Sequence, residues 1–233
     1  MKILVTICAR KGSKRVKNKN LREINGKALI AHTIETALKW GRADKVVVST
    51  DSDEIASISK KFGAEVPFIR PEELASDSAP KLPVIKHIVD NIRKIENEEF
   101  DLVVDLDPTS PLRTVDDIEN AYKIMIGEKP INLFSVTHAR KNPYFNMVEL
   151  DNDGKAHLSK ILADPVFRMQ DTPEVYEMNA SIYMYWPEHL ATMDSVITED
   201  SRIYEMPPER SVDIDSEFEF KFVEWLIRNR NVE

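Results

Sequence analysis

"KILVTICARKGSKRVKNKN", residues 2–20, opens as a continuous apolar run and closes in a glycine-containing loop of cations. The run predicts a fully buried strand, and the loop falls where open α/β sheets bind ligands, outside the carboxyl ends of their strands. Residues 8–20 carry six basic side chains and no acidic one, within a chain of formal net charge −8. A uniformly basic surface would point to nucleic acid. One cationic cluster on an acidic body points instead to a small, highly charged anion.

Working outward, apolar runs alternate with segments of helical period, the pattern of strands and helices in an α/β sheet. "KALIAHTIETALKW" (27–40) puts Ile30, Ile34, Ala37 and Trp40 on one helical face before Gly41. "DKVVVST" (44–50) reads as a strand. In "DSDEIASISKKFG" (51–63), Asp51 and Glu54 resemble a capping box and Gly63 stands at the C-terminal cap. "LPVIKHIVDNIRKI" (82–95) spaces Ile85, Ile88, Val89, Ile92 and Ile95 toward a core, with Pro83 in the first turn. "FDLVVDLDP" (100–108) is a further strand, "TVDDIENAYKIMIG" (114–127) a helix capped by Thr114 and Asp117 and ended by Gly127, and "INLFSVT" (131–137) a strand. The rhythm breaks near residue 138, where "FNMVEL" and "DNDG" suggest a hairpin, so residues 138–180 read as an insertion into a core formed by 1–137 and 181–233. "NASIYMYW" and "RSVDID" read as returning strands, and "SEFEFKFVEWLIRNR" as a helix with a Phe218, Phe222, Trp225, Leu226 stripe.

With 233 residues, 42% hydrophobic and 31% charged, the chain suits one globular domain with an insertion. A single cysteine, Cys8, excludes an intrachain disulfide framework and fits a reducing compartment. The first apolar run is too short for a secretory signal, and no later stretch reaches the roughly 18–20 apolar residues of a membrane span. These features predict a cytoplasmic protein that binds neither membrane nor nucleic acid.

Three stretches can carry chemistry. In the basic loop, Gly12 allows close backbone approach, Ser13 donates, and Arg10, Lys14 and Lys19 supply charge, a set suited to polyphosphate. The spacing matches neither the P-loop nor the dinucleotide fingerprint, and a solvated surface loop is the plain alternative. In "SVDIDSEFEF" (211–220), Asp213 and Asp215 fall two apart and can share a hard cation such as Mg²⁺; alternatively Asp215 caps the last helix and Asp213 is a surface charge. "DLDPTSPLR" (105–113) puts Asp105 and Asp107 at a strand end before a proline-bounded turn, for which turn chemistry alone is a sufficient reading.

"ICARKGSKRVKNKN", "RPEELASDSA", "LDPTSPLRTVDDI", "NASIY" and "SVDIDSEFEF" occur in this order and closely resemble the CMP-sialic acid synthetase family of cytidylyltransferases. The resemblance runs nearly end to end and is weakest over 138–176. It implies a Rossmann-like three-layer sheet, a small insertion exchanged across a homodimer, and Mg²⁺-assisted transfer of CMP from CTP to a nine-carbon 2-keto sugar acid. It further implies that Ala9, Arg10, Gly12, Ser13, Asn20, Arg70, Ala79 and Thr109 hold the nucleotide. Arg10, Lys14 and Lys19 would stabilise phosphate charge, Asp213 and Asp215 would bind magnesium, and Asp107, Arg168, Asn179 and Tyr183 would meet the sugar. Where better-known sialic acid enzymes read "LQPTSPLR" and "RPNGAIY", this chain has Asp107 for the glutamine and "EMNASIY", with Glu177 for an arginine; Phe145 stands about where the family has a lysine. These departures point toward a related acid such as legionaminic acid, with N-acetylneuraminic acid the runner-up. A keto-deoxyoctulosonate enzyme, a sugar-phosphate enzyme and a non-catalytic nucleotide-binding relative are the alternatives. No histidine stands in these motifs to deprotonate the attacking hydroxyl.

Overall fold

The computed structural model describes residues 1–76 and 79–229. In chain order the first half contains β1 (Ile3–Cys8), β2 (Glu23–Ile24), β3 (Lys27–Ala28), α1 (Leu29–Lys39), β4 (Lys45–Ser49), α2 (Asp53–Lys61), α3 (Lys81–Glu96), β5 (Leu102–Leu106) and α4 (Val115–Glu128). The second half contains β6 (Asn132–His138), β7 (Val148–Leu150), β8 (Ala156–Leu158), β9 (Tyr176–Tyr185), α5 (Pro187–Thr192), β10 (Ser201–Glu205) and α6 (Glu217–Asn229).

Six strands form the central sheet in the order β10-β6-β9-β5-β1-β4. β9 runs antiparallel to β5 and β6, while the other pairings are parallel. Alternation along β1 builds the layers: Ile3, Val5 and Ile7 pack with Ile30 and Ile34 of α1, Ile55 of α2 and Ile118 of α4. Leu4 turns to the other face and packs with Ile88 and Ile92 of α3. Each such fully buried aliphatic side chain contributes about 1.5–3 kcal/mol relative to exposure. The carboxyl ends of β1 and β5 therefore open between helices, directly above which the basic loop and the 107–110 turn emerge.

Several local readings shift. Helix α1 starts two residues after Lys27, because Asn25 and Gly26 adopt positive φ (51° and 76°) and close the β2–β3 hairpin, an Asn-Gly turn with strands too short to register as an alternating pattern. Ser52, not Asp51, caps α2, accepting from the Ile55 N–H at 3.4 Å. The capping box of Thr114 and Asp117 on α4 forms as expected. That helix continues through Gly127 to a left-handed Lys129, where Pro130 prevents further turns. Ile95 is 57% exposed, three residues past Ile92, the last buried residue of α3.

Two larger differences concern the C-terminal half. "RSVDID" is not a strand: Pro207 and Pro208 open a single 3-10 turn, Pro208–Arg210, and residues 211–215 follow as irregular chain. The last strand of the sheet is instead β10, short and at an edge, where its polar ends mask it. On α6 the buried side is Phe220 and Val223, whereas Phe218 (77%) and Trp225 (60%) are exposed, so only Leu226 of the anticipated stripe packs inward. Arg230, the last residue of that anticipated helix, lies outside the described residues.

Candidate active site

A cleft of about 580 Å³ lies between the β1 loop, the start of α3, the turn after β5 and residues 213–215. Its cationic wall follows β1. Ala9 continues the parallel pairing by donating to the Ser49 carbonyl (3.0 Å), and the Lys11 N–H donates to Asp51 Oδ1 (2.8 Å), which pins the loop to the end of β4. Val16 is buried with Ile24, Leu29, Leu112, Ile214, Phe220 and Val223. This apolar knot has a direct consequence: Val16 belongs to the basic loop and Ile214 stands between the two aspartates, so burying both brings cations and acids to one cleft.

Hydrogen bonds fix the acidic wall. The Ile214 N–H donates to the Thr109 carbonyl (2.9 Å), and the Lys19 ammonium donates to the Ile214 carbonyl while standing 3.6 Å from Asp215 Oδ1. Arg15 reaches Asp215 Oδ2 at 3.2 Å. Farther back, Arg210 donates twice to the fully buried Asp117 (2.8 and 2.9 Å), and Tyr204 donates to the same carboxylate (2.9 Å). That node ties α4, β10 and the 3-10 turn together just upstream of Asp213.

Charge is unevenly distributed. Burial, then the neighbouring carboxylates of Asp107 and Asp215, push the Asp213 carboxyl up to about 6, against a hydrogen bond from the Thr109 hydroxyl. Asp107 moves the other way. Burial pushes it up, but Lys81 and the Thr109 donors outweigh that and hold it below the usual carboxylate range. Burial and the charge of Asp105 push the Cys8 thiol far up, so Cys8 is no thiolate nucleophile.

Arg10, Ser13, Lys14, Lys19, Asn20, Arg70, Ala79, Asp107, Thr109, Asp213 and Asp215 all line this one cleft. Asn20 is buried at the cleft wall, with its Nδ2 on the Arg10 carbonyl (3.2 Å) and its Oδ1 without a protein donor. Arg70 is buried against Ser49, its Nε donating to Ser49 Oγ at 2.9 Å. The remaining anticipated residues do not line the cleft. Ala9 is buried beneath it; a Cβ at Gly12 would meet no protein atom within 4 Å, so the protein itself does not require glycine there. Asn179 serves the scaffold, its Oδ1 accepting from Ser135 Oγ (2.6 Å) and its Nδ2 donating to Ser211 Oγ (3.0 Å). Tyr183 is buried under Lys81, and Arg168 is exposed on the 139–175 excursion, paired with Asp171 at 2.8 Å. Asp77 and Ser78 of the "RPEELASDSA" motif lie outside the described residues.

Sequence reading overlooked Lys81, Arg15 and the true task of Arg113. Arg113 is buried and donates to the carbonyls of Asp107 and Ser110, shaping the turn rather than meeting a ligand. The one sequence signal for Lys81 was its position immediately after the "RPEELASDSA" motif and Pro80, at the start of an apolar-periodic helix.

Asp213 and Asp215 offer hard oxygen donors in one cleft, and the like charge of Asp107 and Asp215 on Asp213 is a repulsion that a divalent cation would relieve. That fits Mg²⁺, which favours one or two carboxylates plus phosphate oxygens and water over an all-protein cage.

A family model described as "Cytidylyltransferase" matches residues 4–223. The chain is 42% identical to the post-translational flagellin modification protein B of Campylobacter coli, with 99% of this chain and 97% of that one covered. It is also 42% identical to the CMP-N,N'-diacetyllegionaminic acid synthase of Campylobacter jejuni, with the same coverage. A solved CMP:2-keto-3-deoxy-manno-octonic acid synthetase complexed with CTP shares the fold at a TM-score of 0.72 and 19% identity, over 98% of this chain and 99% of that one.

Proposed function

This chain belongs to the cytidylyltransferase family, and from that premise we propose that it transfers CMP from CTP to the anomeric hydroxyl of a nonulosonic acid, releasing pyrophosphate. The observation that carries the reading is the single cleft in which Arg10, Ser13, Lys14 and Lys19 face Asp213 and Asp215. Identity of 42% over nearly the whole chain to a CMP-N,N'-diacetyllegionaminic acid synthase supports a legionaminic-type acceptor.

In-line attack of the anomeric hydroxyl on the α-phosphorus forms one P–O bond, breaks the bond to the departing pyrophosphate and releases the hydroxyl proton to water, and it asks the protein for positioning and charge neutralisation. Arg10, Lys14 and Lys19 hold the phosphates and oppose the charge that grows on departing pyrophosphate. Asn20 Oδ1 and Arg70 orient the nucleoside. Asp213 and Asp215 would hold Mg²⁺, which when bound supplies Lewis-acid neutralisation of phosphate oxygens. Lys19 and Arg15 are ion-paired with Asp215 and hold its side chain in the cleft.

The assembly is part of the proposal. Val148, Leu150, Ile161 and Phe167 expose apolar surface on the 139–175 excursion, supporting its use as the dimerisation arm of a C₂ homodimer in which Arg168 of one chain completes the site of the other. No helix among the described residues is long and apolar enough to cross a membrane. A reducing, cytoplasmic setting is proposed from the lone Cys8. The test is pyrophosphate release from CTP with and without Mg²⁺ across a panel of 2-keto sugar acids. Release with a nonulosonic acid supports the reading; binding of CTP with no release for any acid would establish a nucleotide-binding regulator instead.

A further inference from the structure

Lys81, the first residue of α3, reaches over the Tyr183 ring at 4.2 Å from its centroid, to Asp105 Oδ2 at 2.9 Å and Asp107 Oδ2 at 3.0 Å. Its ammonium nitrogen and Asp105 Oδ2 are both closed to solvent, and Coulomb attraction at these distances is the main tie between the three charges. Asp105 is wholly buried and takes its other support from the Thr6 hydroxyl (2.7 Å). Asp107 differs: it lines the cleft, its Oδ1 accepts from the Thr109 N–H at 3.1 Å, and it lies 2.9 Å from the Thr109 hydroxyl, whose one proton it shares with Asp213. Burial disfavours the ammonium, but the two carboxylates outweigh burial and keep Lys81 charged, well above the ordinary lysine range.

Two acids share one cation here, and a third carboxyl, Asp213, is joined to Asp107 through Thr109. The acceptor proposed above is itself a carboxylate, and Asp107 lines the cleft that it would enter. Resting on the reading of a sugar-acid acceptor above, we propose that Lys81 is a positioning residue for that acceptor. It neutralises Asp107 and clamps it against Thr109, so that an acid in the cleft wall contacts the sugar's uncharged polar groups without repelling its carboxylate. The side chain borders the cleft, but its nitrogen is closed to solvent between Asp105, Asp107 and Tyr183, so the ammonium acts through Asp107 rather than by touching substrate.

The test measures the KM of the sugar acid, the KM of CTP and the inhibition constant of the neutral sugar methyl ester for wild type, Lys81→Met, Asp107→Asn and the double variant. Lys81→Met is expected to raise the sugar-acid KM about tenfold or more while shifting CTP and the ester less than about threefold. Adding Asp107→Asn removes the unpaired charge that faces the cleft, leaving only Asp105 buried behind it, and should return the acid's KM to within about threefold of Asp107→Asn alone, a coupling that a merely structural lysine would not produce. Asp107→Asn alone leaves Lys81 with Asp105 and is the safeguard should Lys81→Met not fold: it should bind the acid at least as well, relative to the ester, as wild type does. An unchanged acid KM in Lys81→Met, equal losses for acid and ester, absence of rescue, or selective loss of the acid in Asp107→Asn would each overturn the proposal. Wild type that releases no pyrophosphate with any sugar acid would instead overturn the function on which it rests.

Discussion

Asp213, Asp215 and Asp107 bring three carboxyl groups to one end of the cleft, and burial first, then that crowding, lifts Asp213 to about 6. A folded-state pKa above the ordinary 3.8 means that the folded chain holds the proton longer than the unfolded chain. The cost of its charged form is therefore absent below about pH 4 and complete above about pH 6. Asp213→Asn should raise the stability of the metal-free protein by about 1–2 kcal/mol at pH 7, discounted from the full shift because the group is part-exposed. The same variant, and Asp215→Asn, should remove most turnover at saturating CTP. Thermal unfolding without Mg²⁺ and steady-state kinetics check the two halves; normal turnover in both variants would remove the metal assignment. Ala180 is a second strained position. It takes φ 51° inside β9, where the β6 register shifts between Phe134 and Val136. The kink lets Asn179 Oδ1 accept from both Ser135 and the Ser181 N–H beside the 107–110 turn. A left-handed alanine costs about 1–2 kcal/mol, so Ala180→Gly should stabilise by about 0.5–1 kcal/mol after glycine's greater unfolded-state entropy is subtracted. Chemical denaturation measures it.

Among the elements, α6 and the Asp117 node do most to hold the acid pair against the basic loop. Phe220 is 2% exposed, packs in the same knot as Val16 and Ile214, and lies 3.7 Å beneath the Arg22 guanidinium. Phe220→Ala should cost about 3–5 kcal/mol and weaken CTP binding with it, because the cavity opens beside both walls of the cleft. Phe218→Ala, two residues away on the exposed side, should stay within about 0.5 kcal/mol of wild type. Equal effects would show that α6 packs by its other face. Asp117 is held below the usual carboxylate range: burial raises it, but Arg210, Thr114 and Tyr204 outweigh burial. A depressed folded pKa stabilises above the unfolded value of about 3.8 and is lost as pH falls through and below it. Asp117→Asn should cost about 2–3 kcal/mol at pH 7 and flatten the acid limb of the stability curve, read from denaturant melts between pH 3 and pH 7.

For the molecule as a whole, each site is proposed to need two chains. An Arg168→Ala chain and an Asp215→Asn chain, each inactive alone, should regain activity when mixed, because one of the two sites in a heterodimer then carries neither change. With free assortment that is about one quarter of all sites in an equal mixture, the measure against which the recovered rate is read. No recovery after verified subunit exchange would show that each site is built from one chain.

What the sequence determined by itself is what local physics determines. Strand β1, the helix faces of α1 and α3, the Thr114 cap and the hairpin β7–β8 follow from apolar period, capping side chains and turn residues within a few positions of one another. The residue types of the site were equally visible, cations after β1 and paired aspartates near the end. Their meeting was not: Arg15 reaches Asp215 across 200 positions, and Val16 and Ile214 share a knot that no local pattern encodes. The same limit hid β10, an edge strand of five residues, and the buried face of α6, whose aromatic residues suit either side until Val16 and Leu29 select one. Lys81 is the sharpest case. Its role comes from two acids on β5 and the turn that follows it and a tyrosine on β9, and only packing the sheet against α3 brings that lysine between them, where burial makes the pairing obligatory.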